Sequence, residues 1–435
     1  MAPRELRLIF NEDVELAFAR LSLTGPQGGV ALAPLALAQD SPKILLGEIR
    51  GALVPGPYTV AWQVASEDGH PVRGTYSFTL APGAAGLALL PAPGQAPPPA
   101  EHHDPISIPS GPGFDAESPL YVGVRWLTFL GLLGVVGAVA FRLVVLPLMS
   151  RQGVPESRAI LPEASGRAAG LGLWMAALVG VAALLRLYAQ SYALHGSERA
   201  LDPVLIGTML SRTLWGWGWI LQLAGTVLSL AGFALARRSA APTSGWAVAA
   251  LGALVLAFTP GLSGHAASAP GLTTRTILAD GVHVLGAGGW LGSLLFVVVV
   301  GIPVALRLGE ARGAAVAALV RAFSPTALVF AGAVFATGVF AAWIHLGSVP
   351  ALWTTAYGRT LLLKLAVLSV VFGTGAYNFR FVLPRLGDDI GTKRLRRSAS
   401  LELAAGVIVL VVTAILVATA TPAPTTGMEV IAQGH

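Results

Sequence analysis

LYVGVRWLTFLGLLGVVGAVAFRLVVLPL, residues 120–148, carries only two charges, Arg125 and Arg142, in an otherwise apolar run. A helix of this length exceeds the roughly 20 residues needed to cross a hydrocarbon core of about 30 Å. In lipid a helix also satisfies its own backbone hydrogen bonds. Similar stretches predict further membrane helices near 168–190, 212–236, 245–264, 275–305, 314–343, 359–384 and 399–420. Composition agrees: the 435 residues are 54% hydrophobic and 11% charged, where soluble domains carry roughly 25% charge. Mean hydropathy is +0.70. The expected class is an all-α polytopic membrane protein with about eight transmembrane helices.

Residues 1–82 have a different texture. Runs rich in β-forming residues (Leu6 to Phe10, Ala17 to Leu23, Ile44 to Ile49, Tyr58 to Val64, Thr75 to Leu80) alternate with turn signals such as Gly25-Pro26-Gln27-Gly28-Gly29 and Pro55-Gly56-Pro57. Short strands so spaced predict an antiparallel β-sandwich. Residues 83–118 are dense in Pro, Gly and Ala and read as a semi-extended linker. The helical part then covers 119–421, with a tail at 422–435.

The basic residues report orientation. One set of loops holds Arg151, Arg158 and Arg167, then Arg237 and Arg238, then Arg307, Arg312 and Arg321, then Arg385, Lys393, Arg394, Arg396 and Arg397. The other set holds Arg199, Arg212, Arg275 and Arg359. The positive-inside rule puts the first set in the cytoplasm, and with it the β domain, linker and C-terminus outside. The net charge of +6 is thus a topology signal, and no nucleic-acid partner is expected. Met1 to Arg7 contains no apolar export segment, so the natural start is expected to lie upstream.

With no cysteine in the chain, disulfides and thiolate sites are excluded, and a metal must use His, Met, Asp or Glu. Asp68 and His70 flank Gly69; in extended chain they share a face and could share an ion, although a solvated turn has the same spacing. In the helical part His195, His265, His283 and His345 all fall toward the extracytoplasmic side. Pro260 and Gly261 could break helix four just before His265. Asp280, His283, Ala287 and Trp290 recur at three- and four-residue steps, so they share a face of helix five. If helices four, five and six are neighbours, His265, His283 and His345 can converge. His195 and His345, at helix ends, are equally compatible with hydrated interfacial positions. The linker pair His102 and His103 could relay metal. Arg380 and Glu402 are expected to form an ion pair.

Leu8-Ile9-Phe10-Asn11-Glu12, Pro57-Tyr58-Thr59-Val60-Ala61-Trp62 and Ser66-Glu67-Asp68-Gly69-His70-Pro71-Val72, with Gly74 and Phe78, resemble the bacterial CopC copper-binding proteins. The resemblance covers residue 4 to about 80. It implies a cupredoxin-like or immunoglobulin-like β-sandwich that binds Cu(II), with Asp68 and His70 as ligands. The family's N-terminal His ligand has no counterpart before Met1-Ala2-Pro3-Arg4. That departure puts the affinity of this copy in question.

Ser263-Gly264-His265-Ala266, Asp280-Gly281-Val282-His283, Gly289-Trp290-Leu291-Gly292, Tyr357-Gly358-Arg359-Thr360-Leu361-Leu362-Leu363-Lys364 and Tyr377-Asn378 resemble the CopD family of inner-membrane copper proteins, over roughly 120–421. Together the two resemblances imply a fusion that captures copper outside and moves it across the bacterial inner membrane, usually inward, without enzymatic activity. Its partners would be copper, the lipid bilayer and periplasmic copper chaperones. The metal ligands so expected are Asp68, His70, His265, His283, His345 and His195, with Asp280, His102 and His103 as further donors. Two other readings fit the residues: a haem b electron-transfer protein with two of His265, His283 and His345 as axial ligands, and a copper sensor or store without transport. No nucleotide motif suggests ATP-driven pumping.

Overall fold

The computed structural model describes residues 2–10, 13–65, 71–82, 118–152, 158–238, 243–262, 273–382, 389–419 and 421–422. The linker, with His102 and His103, lies outside them, as do the segments carrying Asp68, His70 and His265.

The N-terminal part is antiparallel. Strands β1 (Glu5–Ile9), β5 (Ser41–Glu48) and β4 (Ala36–Ala38) form one sheet. The other runs β3 (Gly28–Val30), β2 (Arg20–Gly25), β6 (Gly56–Ala65) and β7 (Pro71–Leu80). Alternation makes this work: Leu6 and Leu8 of β1 and Leu21 and Leu23 of β2 are buried while their neighbours face out, as a two-residue side-chain period requires. Those residues join Leu45, Tyr58, Val60, Trp62 and Val64 in one core. The Tyr58 hydroxyl accepts from Val54 N at 2.9 Å and donates to Val54 O at 2.8 Å, which satisfies a phenol otherwise sealed in that core. Two differences from the expected strands have local causes. Leu16–Phe18 forms a 3₁₀ turn that buries Phe18, so β2 starts later than the apolar run. The Gly25-to-Gly28 turn also folds back at once into the short β3.

Among the described residues eight helices are long and apolar enough to cross a membrane: α1 Pro119–Ser150, α2 Leu161–His195, α3 Leu214–Arg238, α4 Thr243–Leu262, α5 Thr274–Ala305, α6 Gly309–Leu346, α7 Ala356–Tyr377 and α8 Arg397–Ala418. Their starts carry sequence-coded caps. Ser118 accepts from Tyr121 N ahead of Pro119, and Thr355 accepts from Gly358 N at 3.0 Å, each pairing an orphan donor of the first turn. Helix α5 is central, packing on α1, α4, α6 and α8. It crosses α1 at Gly292 and Gly137, where a methyl group on either glycine would run into the facing backbone. It is wound more loosely at Gly288–Gly292 and Val297–Gly301, the π-type turns often found beside functional groups. Helix α4 runs through Pro260 to Leu262 rather than breaking there.

By contacts the chain divides into two compact units. Ser191–Gly216, which connects α2 and α3, groups with the β domain, and the remaining helices form the other unit.

Candidate metal centre

Within the first unit, β6 and β7 bind the α2–α3 connection. Gln63 and Arg73 are cross-strand partners, and Arg73 Nε donates to Gln63 Oε1 at 3.0 Å. The pair then reaches out: Gln63 Nε2 donates to Leu194 O at 3.0 Å and Arg73 Nη2 to Ala193 O at 2.6 Å. These carbonyls belong to the last turn of α2, whose orphan acceptors need such donors. His195 follows, 8% exposed, its ring 5.9 Å from Phe18. Its Nε2 is buried without a hydrogen-bond partner. Arg20, Arg199 and Asp202 act on it electrostatically. Burial, then Arg199 and Arg73, hold the Arg20 guanidinium below its ordinary value, a sign that positive charge is crowded here.

In the helical unit α5 presents Asp280 and His283 one turn apart, as their spacing predicts. The Asp280 carboxylate lies against Gly261 of α4 and is an electrostatic neighbour of Lys364 on α7. His283 Nδ1 is 2.9 Å from Thr337 Oγ1 on α6. That hydroxyl gives its own proton to Ala333 O at 2.7 Å. With the Thr337 proton so placed, its oxygen is open to accept from His283 Nδ1–H. His283 also hydrogen-bonds the Val334 backbone of α6, so the ring is oriented from that helix, as hydrogen-bond partners around a metal site orient its imidazoles. His345, two turns beyond Thr337, packs edge-on against Tyr357 of α7 at 6.3 Å. Among the described residues no three of His, Asp and Glu are close enough to hold an ion. His283 and Asp280 are thus brought to one level of the bundle, His345 belongs to the α6–α7 contact, and His195 belongs to the first unit.

The other intramembrane charges are engaged. Arg125 lies 4.5 Å from the centre of the Tyr121 ring, Arg186 donates to Gln222 at 3.0 Å and Arg142 to Ser165 at 3.1 Å. Among the described residues, Arg380 and Glu402 do not form the expected ion pair. Arg380 is exposed beside the Phe381 ring, whereas Glu402 accepts from Asn378 and Trp290.

Residues 1–81 match the CopC domain, residues 115–276 the Copper resistance protein D-like N-terminal domain, and residues 317–416 Copper resistance protein D. The chain belongs to the CopC–CopD copper-resistance family. The copper transport protein CutJ of Bacillus subtilis is 27% identical over 428 residues, which are 97% of this chain and 71% of CutJ. Copper resistance protein C of Escherichia coli is 34% identical over 86 residues, 18% of this chain and 68% of that protein. The crystal structure of CopC from Methylosinus trichosporium matches at 32% identity, covering 19% of this chain and 79% of that one, with a TM-score of 0.18. CopC–CopD membership makes copper the metal this protein binds and a multi-pass membrane protein its form.

Sequence reasoning missed Thr337, Gln63, Arg73 and the Asn378–Trp290 pair. Thr337 and Asn378 are weakly visible as polar residues inside apolar runs. Gln63 and Arg73 carry no signal until the register pairs them.

Proposed function

We propose that the protein moves copper across the bacterial inner membrane toward the cytoplasm, with residues 1–82 as a copper-capturing domain outside, 83–118 as linker and 119–421 as the membrane path. Copper would be captured through Asp68 and His70, with periplasmic copper chaperones as donors and His102 and His103 as a relay. It would then pass to His283, with Asp280 to offset its charge and His265 and His345 as further ligands. The observation that carries this reading is the placement of His283 against Thr337 at 2.9 Å, one turn from Asp280. Thr337 and the Val334 backbone hold the ring from α6, one turn from the Asp280 carboxylate on the same helix, where a polar pair within the membrane marks a functional site. Lys364 near Asp280 opposes a resident cation and favours passage over storage. His195 would touch copper only in transit, because Arg20 and Arg199 surround it. The arginine-rich loops support this orientation.

The test is copper loading of proteoliposomes. His283→Ala should cut the initial rate at least tenfold, and Thr337→Val, which removes the hydroxyl that orients the ring, should cut it by about tenfold, the lower end of the range for lost outer-shell partners. Loading equal to wild type in His283→Ala would leave a sensor or store. A Soret band abolished by the same substitution would make the protein a haem carrier instead.

A further inference from the structure

At the end of the bundle where α8 begins, α5, α6, α7 and α8 wall a cavity of about 480 Å³. Its lining is apolar apart from Glu402, Asn378, Ser324 and the Trp290 indole. Ser324 turns its hydroxyl back to Val320 O at 2.9 Å. Two wall residues, Leu328 at 75% and Phe372 at 37% exposure, lie on the outer flank of the helices, so the cavity communicates with the lipid side. Glu402 itself is 4% exposed. Its carboxylate accepts from Asn378 Nδ2 at 3.4 Å and from the Trp290 indole. Asn378 is held in turn by the Ser398 hydroxyl, which donates to its Oδ1.

The elements packed on α8 carry Tyr121, Arg125 and Arg142 on α1, Arg275, Asp280 and His283 on α5, Glu310, Arg312, Arg321 and His345 on α6, Tyr357, Arg359, Lys364 and Tyr377 on α7, and Arg380 just after it, while α8 itself begins at Arg397. Among the described residues none of them acts on Glu402, whose polar interactions are with Asn378 and Trp290. A bare carboxylate in such a wall is costly without a cation. Both groups aimed at it are N–H donors, which would meet a metal cation with their positive ends. A proton suits the site: bound to one oxygen, it leaves the remaining lone pairs to the two donors.

We propose that Glu402 is a proton-binding site inside the membrane, loaded and unloaded through this cavity. It takes no copper, and it stands whether or not copper crosses the bilayer. The probe is dicyclohexylcarbodiimide, an apolar reagent that enters from lipid, applied to the full-length protein in liposomes. A protonated carboxyl adds across its N=C=N unit: the carboxyl oxygen bonds to the central carbon and the proton moves to nitrogen. The acyl group then shifts from oxygen to nitrogen, so nothing leaves and the peptide gains the mass of one reagent. Mass spectrometry should find the adduct on Glu402, forming at least tenfold more slowly at about pH 9 than at about pH 6. It should be missing from E402Q and unaffected by added copper or sodium at fixed pH. No adduct at Glu402, a rate independent of pH, or protection by either metal ion would overturn the proposal. The wild-type pH series decides the matter even if E402Q folds poorly.

Discussion

The β domain and helix α2 bury opposite kinds of residue. In the sandwich the large side chains are inside: Leu45 and Val60 are fully buried and Tyr58 is 2% exposed. In α2 the alanines are inside, Ala164, Ala168, Ala169, Ala176, Ala182 and Ala183 all fully buried, while Trp174 on the same helix is 74% exposed. The solvents differ, and so does the force. Water expels the large apolar groups of the sandwich. Lipid expels nothing apolar, so the helices hold together through close approach of small residues and hydrogen bonds such as Trp219 Nε1 to Ala183 O at 2.8 Å.

That contrast can be broken by substitutions in each region. Trp62→Ala should have the largest effect. The ring is 8% exposed, meets Phe10 edge-on at 5.2 Å and fills the space over Gly74 that a side chain there would need. Its loss should destabilise the β domain by about 3–5 kcal/mol, read as a lower urea midpoint for protease cleavage within residues 1–82 of the detergent-solubilised full chain. The helices should resist cleavage as before; if they unfold together with the domain, the two parts do not rest on separate forces. Gly292→Ala should act in the other direction. One methyl group meets the Leu133 carbonyl across the α1–α5 crossing, and forcing the helices apart should cost about 1–3 kcal/mol. The measurement is the midpoint of helix loss in SDS, with cleavage of the β domain unchanged.

How much of this was readable in advance follows the same divide. The helices are written in runs of apolar residues longer than any soluble core element needs, and all eight lie close to the expected spans. The strands are legible where side chains alternate, as in β1, but the three-residue β3 and β4 are too short to show alternation and exist through hairpin pairing with β2 and β5. Sites are harder to read. The i, i+3 spacing of Asp280 and His283 is local and therefore visible, whereas the partners that define their chemistry, Thr337 and Lys364, come from other helices. Glu402 shows the failure most clearly. Arg380, an arginine inside the neighbouring apolar run, is a plausible ion-pair partner on paper, yet the loosely wound turn at Gly288–Gly292 carries the Trp290 indole that meets the carboxylate instead.

The smallest expected effect sharpens the comparison from the aqueous side. Tyr76 of β7 is half-buried opposite Val60, and burial raises its phenol above the ordinary value near 10. The folded domain therefore binds this proton more tightly than the unfolded chain does. Stability from this group is complete below about pH 10 and is lost as pH climbs from there toward the raised folded value, since the unfolded state ionises first. The β-domain cleavage midpoint should accordingly fall above about pH 10, and Tyr76→Phe, which has no proton to lose, should flatten that fall while leaving the midpoint at pH 7 nearly unchanged. An equally steep alkaline loss in Tyr76→Phe would assign it to other groups.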